Sequence, residues 1–177
     1  MASEDSTQFE IAQRDLGEML GFRAGKHESD ASPDPWWIAG RFCIVFEDHS
    51  NANADSALGA DKARQADGHP KWMRANKDMT RLPDNAEILS VLVTPVSRAE
   101  KGALPHLTNV ALWRLDEFRK WALKALSVIR ELRRTLGDDC DLAWRAQAQS
   151  VFEQNGFDAP SLFRALASVN AGNVLKQ

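Results

Sequence analysis

Apolar residues recur three and four positions apart through "TQFEIAQRDLGEMLGF", at Phe9, Ala12, Leu16, Met19 and Leu20. That spacing predicts an amphipathic helix, opened by Ser6 or Thr7 and stopped at Gly21. In "WWIAGRFCIVFEDH" two short apolar runs rich in β-branched and aromatic residues are parted by Gly40-Arg41, the pattern of a tight β-hairpin. From Leu58 to Lys77 the chain is helix-compatible, but Gly68 and Pro70 predict a helix, a kink and a second helix. "AEILSVLVTPV" is almost continuously apolar, as a strand covered on both faces must be, and "NVALWRL" reads as a further short strand. "LDEFRKWALKALSVIRELRRTLG" then lines up Phe118, Trp121, Ala122, Ala125, Leu126, Ile129 and Leu132 on one helical face, with Asp116 at its start and arginines at its end. Two more helices follow, divided by Asn155-Gly156.

Helix, hairpin, helix, strand, strand, helix is the order of an α/β fold: a mixed four-stranded sheet flanked by helices, with a helical appendage at the C-terminal end. Strands separated by a helix imply that part of the sheet is parallel. The expected organisation is a flexible 1–7, a core over 8–136 and a helical extension over 137–177, all within one domain for a chain of 177 residues.

Composition narrows the class. Hydrophobic residues make up 44% and charged residues 27%, ordinary for a globular protein, and no run approaches the ~18 apolar residues of a membrane span. The acidic start "MASEDSTQFE" lacks the features of a signal peptide, so a cytoplasmic protein without membrane contact is expected. Cys43 and Cys140 stand too far apart in the sequence to suggest a disulfide framework or a zinc site. The net charge of −3 excludes a uniformly basic nucleic-acid coat, yet the charges are segregated. Acids gather early, at Glu4, Asp5, Glu10, Asp15, Glu18 and Asp34, whereas Lys62, Arg64, Lys71, Arg74 and Lys77 follow later. Two solvated helix faces would produce this, and so would an acidic metal centre with basic walls for phosphates.

The chemistry concentrates in "PDPWWIAGRFCIVFEDHS", residues 33 to 50. Side chains alternate along a strand, so Glu47 and His49 share one side while Asp48 points to the other. A hairpin brings Asp34 back towards Glu47. Two carboxylates at one place repel unless a cation neutralises them, and magnesium favours a few carboxylate oxygens supplemented by water and substrate phosphates. The pair is therefore a metal seat suited to phosphodiester hydrolysis. A turn at Asp34-Pro35 and a solvated strand end at Glu47 are the plain alternatives.

With "PD" at Pro33-Asp34 and "EDH" at Glu47-Asp48-His49, the chain resembles the PD-(D/E)xK nuclease superfamily, the restriction-endonuclease-like fold. From "LGEMLGF" through "ARQADGHPKWM" and "VLVTPV" to "NVALWRLDEFRKWA" it is similar to nuclease-like domains associated with bacterial DNA helicases. The resemblance implies a metal-dependent DNA endonuclease with Asp34 and Glu47 on Mg2+ or Mn2+, Glu18 assisting from the first helix, and Gln65 acting from the helix after the motif. The motif's lysine is replaced by His49, which would have to take over its charge, with Lys62 or Lys71 as migrated substitutes. Lys62, Arg64, Lys71, Arg74 and Lys77 would hold DNA phosphates. A helicase or ATPase partner and an antiphage setting are expected, and a homo-oligomer is left open. The alternative is a nuclease-fold module without catalysis that binds DNA or docks onto such a partner; a structural α/β domain is the third reading. His27, His69 and His106 show no zinc spacing, and the six tryptophans read first as core and second as base-stacking surfaces.

Overall fold

A computed structural model describes residues 2–28, 32–138 and 140–175. The N-terminal segment expected to be flexible includes Met1, and the C-terminal extension includes Asp139, Lys176 and Gln177; these four lie outside the described residues. The first helix, α1 (Ala2–Met19), begins ahead of the Ser6-Thr7 pair and ends before Gly21, whose φ of 86° is the left-handed conformation that terminates helices. A short strand, β1 (Arg23–Gly25), follows, and then the hairpin of β2 (Trp36–Ala39) and β3 (Phe42–Asp48). The two-residue turn needs left-handed backbone, and Gly40 at φ 56° supplies it.

After β4 (Ala57–Leu58) come α2 (Ala60–Ala75), α3 (Lys77–Thr80), β5 (Glu87–Thr94), β6 (Arg98–Ala99) and β7 (Val110–Arg114). The chain ends in α4 (Leu115–Thr135), α5 (Leu142–Asn155), α6 (Ala159–Ala167) and α7 (Ala171–Val174). The main sheet has five strands in the order β1-β2-β3-β5-β7, antiparallel as far as β3 and parallel beyond it. The expected mixed sheet is thus present with one strand more than four. The addition, β1, is only three residues, "RAG", too short and too weakly apolar to show a period. Gly25 is required there, because the Trp36 ring occupies the place of a side chain. β4 and β6 form a separate two-stranded parallel pair.

α2 runs unbroken through Gly68 and Pro70, which corrects the expected kink between two helices. Proline cannot donate to the carbonyl four residues back, that of Ala66. The buried Ser90 hydroxyl, reaching across from β5, donates to that carbonyl at 2.6 Å instead, so the helix continues without a stranded acceptor.

The sheet buries two kinds of surface. On one face Ile44, Phe46, Val91 and Val93 meet Trp37, Trp113, Phe118 and Phe157, with α1, α4 and α6 contributing to the cluster. Gly17 of α1 lies directly against the Trp37 indole, whose Nε1 donates to the Gln13 carbonyl at 3.1 Å. On the other face Cys43 and Val45 pack with Met73 of α2. The C-terminal part is helical as expected, but α6 and α7 are built into the core rather than appended. Leu162 and Leu166 join the aromatic cluster, and Leu112 donates its amide to the Val169 carbonyl at 2.8 Å. Among the described residues no helix is long and apolar enough to cross a membrane.

Candidate active site

Strand alternation decides which way each residue at the end of β3 points. Cys43 and Val45 face α2, so Glu47 does as well; Ile44 and Phe46 face the aromatic core, and Asp48 follows them. Asp34 arrives from the hairpin partner. The ladder extends past β2, with the Asp34 amide donating to the Phe46 carbonyl and the Phe46 amide to the Pro35 carbonyl, both at 3.0 Å. At the tip the Asp34 carboxylate accepts the Asp48 amide at 2.6 Å. Asp34 and Glu47 consequently line one cavity of about 310 Å³, together with Glu10, Lys26, His27, Lys62, Gln65 and His69.

Glu47 is 3% exposed and nevertheless fully engaged. Oε1 accepts the Lys62 ammonium, and Oε2 lies 2.7 Å from His69 Nε2, on a ring that is 1% exposed. A carboxylate only accepts, so His69 carries its proton on Nε2 in this contact. Burial opposes the charge of Glu47, but the His69 and Lys62 hydrogen bonds and the Lys62 charge outweigh it and hold the pKa below the usual carboxylate value. Burial likewise disfavours the Lys62 ammonium, and Glu47 more than restores it, leaving the pKa above that of an ordinary lysine.

The neighbouring acids behave differently. Burial, and then the negative charge of Glu47, push Asp34 up to about 6 against the opposing Asp48 amide. Asp48 is buried on the other face with no hydrogen-bond partner for either side-chain oxygen among the described residues, and burial followed by repulsion from Asp34 raises it well above the carboxylate range. Lys26, also in the cavity lining, pairs with Glu10 at 2.5 Å.

Against the sequence expectations, Asp34, Glu47, Lys62 and Gln65 are brought together, and Glu18 and His49 are not. Glu18 is exposed on the final turn of α1 and lies outside the cavity lining. Eight residues of helix separate it from Glu10 by about 12 Å along the axis, and Glu10 is the α1 acid at the cavity. His49 also misses the cavity. Its amide donates to the Val93 carbonyl at 2.8 Å, its Nδ1 is 3.4 Å from Thr94 Oγ1, and burial followed by the nearby Lys62 charge lowers its pKa, which favours the neutral ring. The cation at the carboxylates belongs to Lys62. Of the other basic candidates, Arg64 pairs with Asp61, Arg74 donates to the Ala86 carbonyl at 3.3 Å, Lys77 pairs with Asp84 at 2.9 Å, and Lys71 is exposed.

His69, Glu10 and Lys26 escaped the sequence reading, although two of them carried a signal. Lys62, Gln65 and His69 are spaced three and four apart, one face of a helix, which the supposed break at Gly68 and Pro70 concealed. Glu10 lies three residues before Gln13 and seven before Gly17, both buried, and so extends the buried stripe of α1. Nothing local marks Lys26.

No protein-family model matches the chain, and no curated protein matches it. Among solved structures, the small subunit of the heterodimeric restriction endonuclease R.BspD6I aligns at 13% sequence identity over 82% of this chain and 90% of that chain, with a TM-score of 0.41.

Proposed function

We propose that the chain is a divalent-metal-dependent nuclease that hydrolyses phosphodiester bonds of DNA in the cavity lined by Asp34 and Glu47. One observation carries the reading: a lysine, Lys62, sits on the carboxylate of Glu47 in the same cavity as a second, charge-frustrated carboxylate, Asp34. The donor set fits a hard cation. Magnesium needs only one or two protein carboxylates when water and substrate phosphate complete its shell, and each oxygen of Glu47 retains a second lone pair beyond the one used by Lys62 or His69. Asp34 and Glu47 would hold the ion, which when bound supplies charge neutralisation and polarises the phosphate.

The rest falls to side chains of the chain itself. Lys62 holds a fixed positive charge beside the reacting phosphate, the role expected of His49 with Lys62 or Lys71 as migrated substitutes. His69 clamps Glu47 through Oε2 and so fixes the orientation of its carboxylate. Gln65, at the mouth, is placed to hydrogen-bond substrate or water. The exposed basic residues of α2 add sequence-independent attraction for phosphates. The wider setting that the resemblance implies, a helicase or ATPase partner in antiphage defence, belongs to this proposal.

A second reading, a module that binds DNA or a partner without cutting, is favoured by one observation. Among the described residues no group of three or more His, Cys, Asp and Glu side chains is disposed to hold a metal. Incubation with supercoiled and single-stranded DNA in Mg2+ or Mn2+ separates the two. Cutting is expected from the wild type, lost by a factor of about 100 or more in Glu47→Ala and Lys62→Ala, and retained in His49→Ala. Loss in His49→Ala with an active Lys62→Ala would return the lysine's role to His49. Retention of DNA in a gel shift with no cutting by the wild type would establish the second reading.

A further inference from the structure

Beside the catalytic cavity, and sharing Gln65 with it, lies an open cleft of about 450 Å³ formed by Asp61, Arg64, Gln65, Gly68 and Trp72. All five belong to α2, at spacings of three, four, seven and eleven from Asp61, and so form one stripe alongside the Lys62–Gln65–His69 stripe of the cavity. We propose that this cleft is a subsite for one unpaired nucleobase of the substrate, flanking the phosphate held in the cavity. The inference rests on the nuclease reading above.

Three features give the cleft that chemistry. Its wall is the Trp72 indole, half-buried and packed from below against the Ile38, Cys43, Val45 and Met73 cluster, so the ring is held rigidly while it still borders the cleft. A fixed aromatic plane is what a base stacks on, irrespective of its identity. Its floor is Gly68, where an added Cβ would meet nothing within 4 Å, leaving room for a flat ring to lie close to the helix backbone. Its rim carries Arg64, whose guanidinium is ion-paired with Asp61 of the same rim and would have to exchange that partner for a phosphate, and Gln65, an amide for a nucleotide's hydrogen-bonding groups. Continuity with the cavity is twofold. Gln65 lines both, and His27, a cavity residue, stands 6.1 Å from Trp72 between ring centroids. A base can reach a ring on the side of a helix only after leaving its own stack, so the cleft selects single strands, or strand ends that open, over intact duplex.

Gly68 also makes the test clean. A Cβ added at this position meets nothing within 4 Å, and leucine in a helix is a better residue than glycine, so Gly68→Leu is expected to fill the cleft and to keep its fold, with a melting temperature that does not fall. Fluorescence anisotropy in EDTA would compare a single-stranded DNA oligonucleotide with an abasic strand of the same length. The wild type is expected to favour the base-bearing strand by about tenfold. Gly68→Leu and Trp72→Leu should abolish that preference while leaving affinity for the abasic strand unchanged, and Trp72→Phe should retain it. Equal binding of both strands by the wild type, or an undiminished preference in Gly68→Leu, would overturn the subsite and leave the nuclease reading standing. Failure of the wild type to bind either strand would overturn the subsite alone, because the nuclease reading is decided by the cutting assay in Mg2+ or Mn2+.

Discussion

On the α2 face of the sheet, the carboxylate of Glu47, the hydroxyl of Ser90 and the Nε2 of His69 are all buried and all partnered, while the far ring nitrogen of His69, Nδ1, lacks a partner there among the described residues. On the opposite face, the side-chain oxygens of Asp48 and both side-chain polar atoms of Gln13 are buried with no partner among the described residues. Glu47 and Asp48 are chain neighbours of similar burial, yet the pKa of one lies below and that of the other well above its ordinary value. Burial acts on both in the same direction. What separates them is whether a cation and a hydrogen-bond donor stand opposite, which is decided by the face to which strand alternation sends each side chain. The face that can keep a buried negative charge is also the face on which the candidate active site is built.

The strongest way to break this comparison is to remove each carboxylate in turn. Glu47→Leu leaves His69 Nε2–H buried without an acceptor and strips Lys62 of its counter-ion, and should cost about 2–3 kcal/mol of stability. Asp48→Asn strands no partner and should carry no such cost, since the side-chain volume is kept and no hydrogen bond is lost. Chemical denaturation at neutral pH measures both. Equal costs would show that the partners of Glu47 contribute nothing and that the two faces do not differ in the manner described.

A smaller effect tests whether the α2 face depends on its matched partners elsewhere. Ser90→Ala removes the hydroxyl that stands in for the missing Pro70 amide and leaves the Ala66 carbonyl unsatisfied, a loss of about 1–2 kcal/mol. In a Pro70→Ala background the new amide can donate to that carbonyl, and the same Ser90→Ala change should cost less than about 0.5 kcal/mol. Additive losses in the double-mutant cycle would detach Ser90 from the proline.

Much of this arrangement was legible in the sequence wherever one period dominated. The continuous apolar run over 87–94 marked the central strand, Gly40-Arg41 marked the hairpin, and the hairpin in turn placed Asp34 beside Glu47. Legibility failed wherever a long-range contact reversed a local rule. Pro70 forbids a helix only if nothing else satisfies Ala66, and Ser90 lies twenty residues further on. His49 takes the lysine's place in the motif's line of residues, and Lys62 and Lys71 are both open as migrated substitutes, but only the fold selects Lys62, which reaches Glu47 from α2. Alternation did assign opposite sides to Glu47 and Asp48, but it could not show that Asp48 would be buried, because that depends on α1 and the aromatic cluster closing over it.

The finest difference between the two faces should be readable from pH. Asp48 binds its proton more tightly in the folded chain than in the unfolded one, where a carboxyl titrates near 3.9. Above that unfolded value the unfolded chain gives up the proton before the folded chain does, so stability falls as the pH rises, and it is fully kept only below about pH 4. An asparagine in its place has no proton to lose. Asp48→Asn should therefore raise stability by about 1 kcal/mol at pH 7.5, with the advantage shrinking to zero near pH 4. Asp34, pushed up to about 6, adds a slope of the same sign, but it does so in both proteins and largely cancels from the difference. Thermal melts of the two proteins across this range isolate the Asp48 contribution. A gain that is the same at every pH would mean that Asp48 is charged and compensated in the fold, as Glu47 is, and the contrast between the faces would be lost.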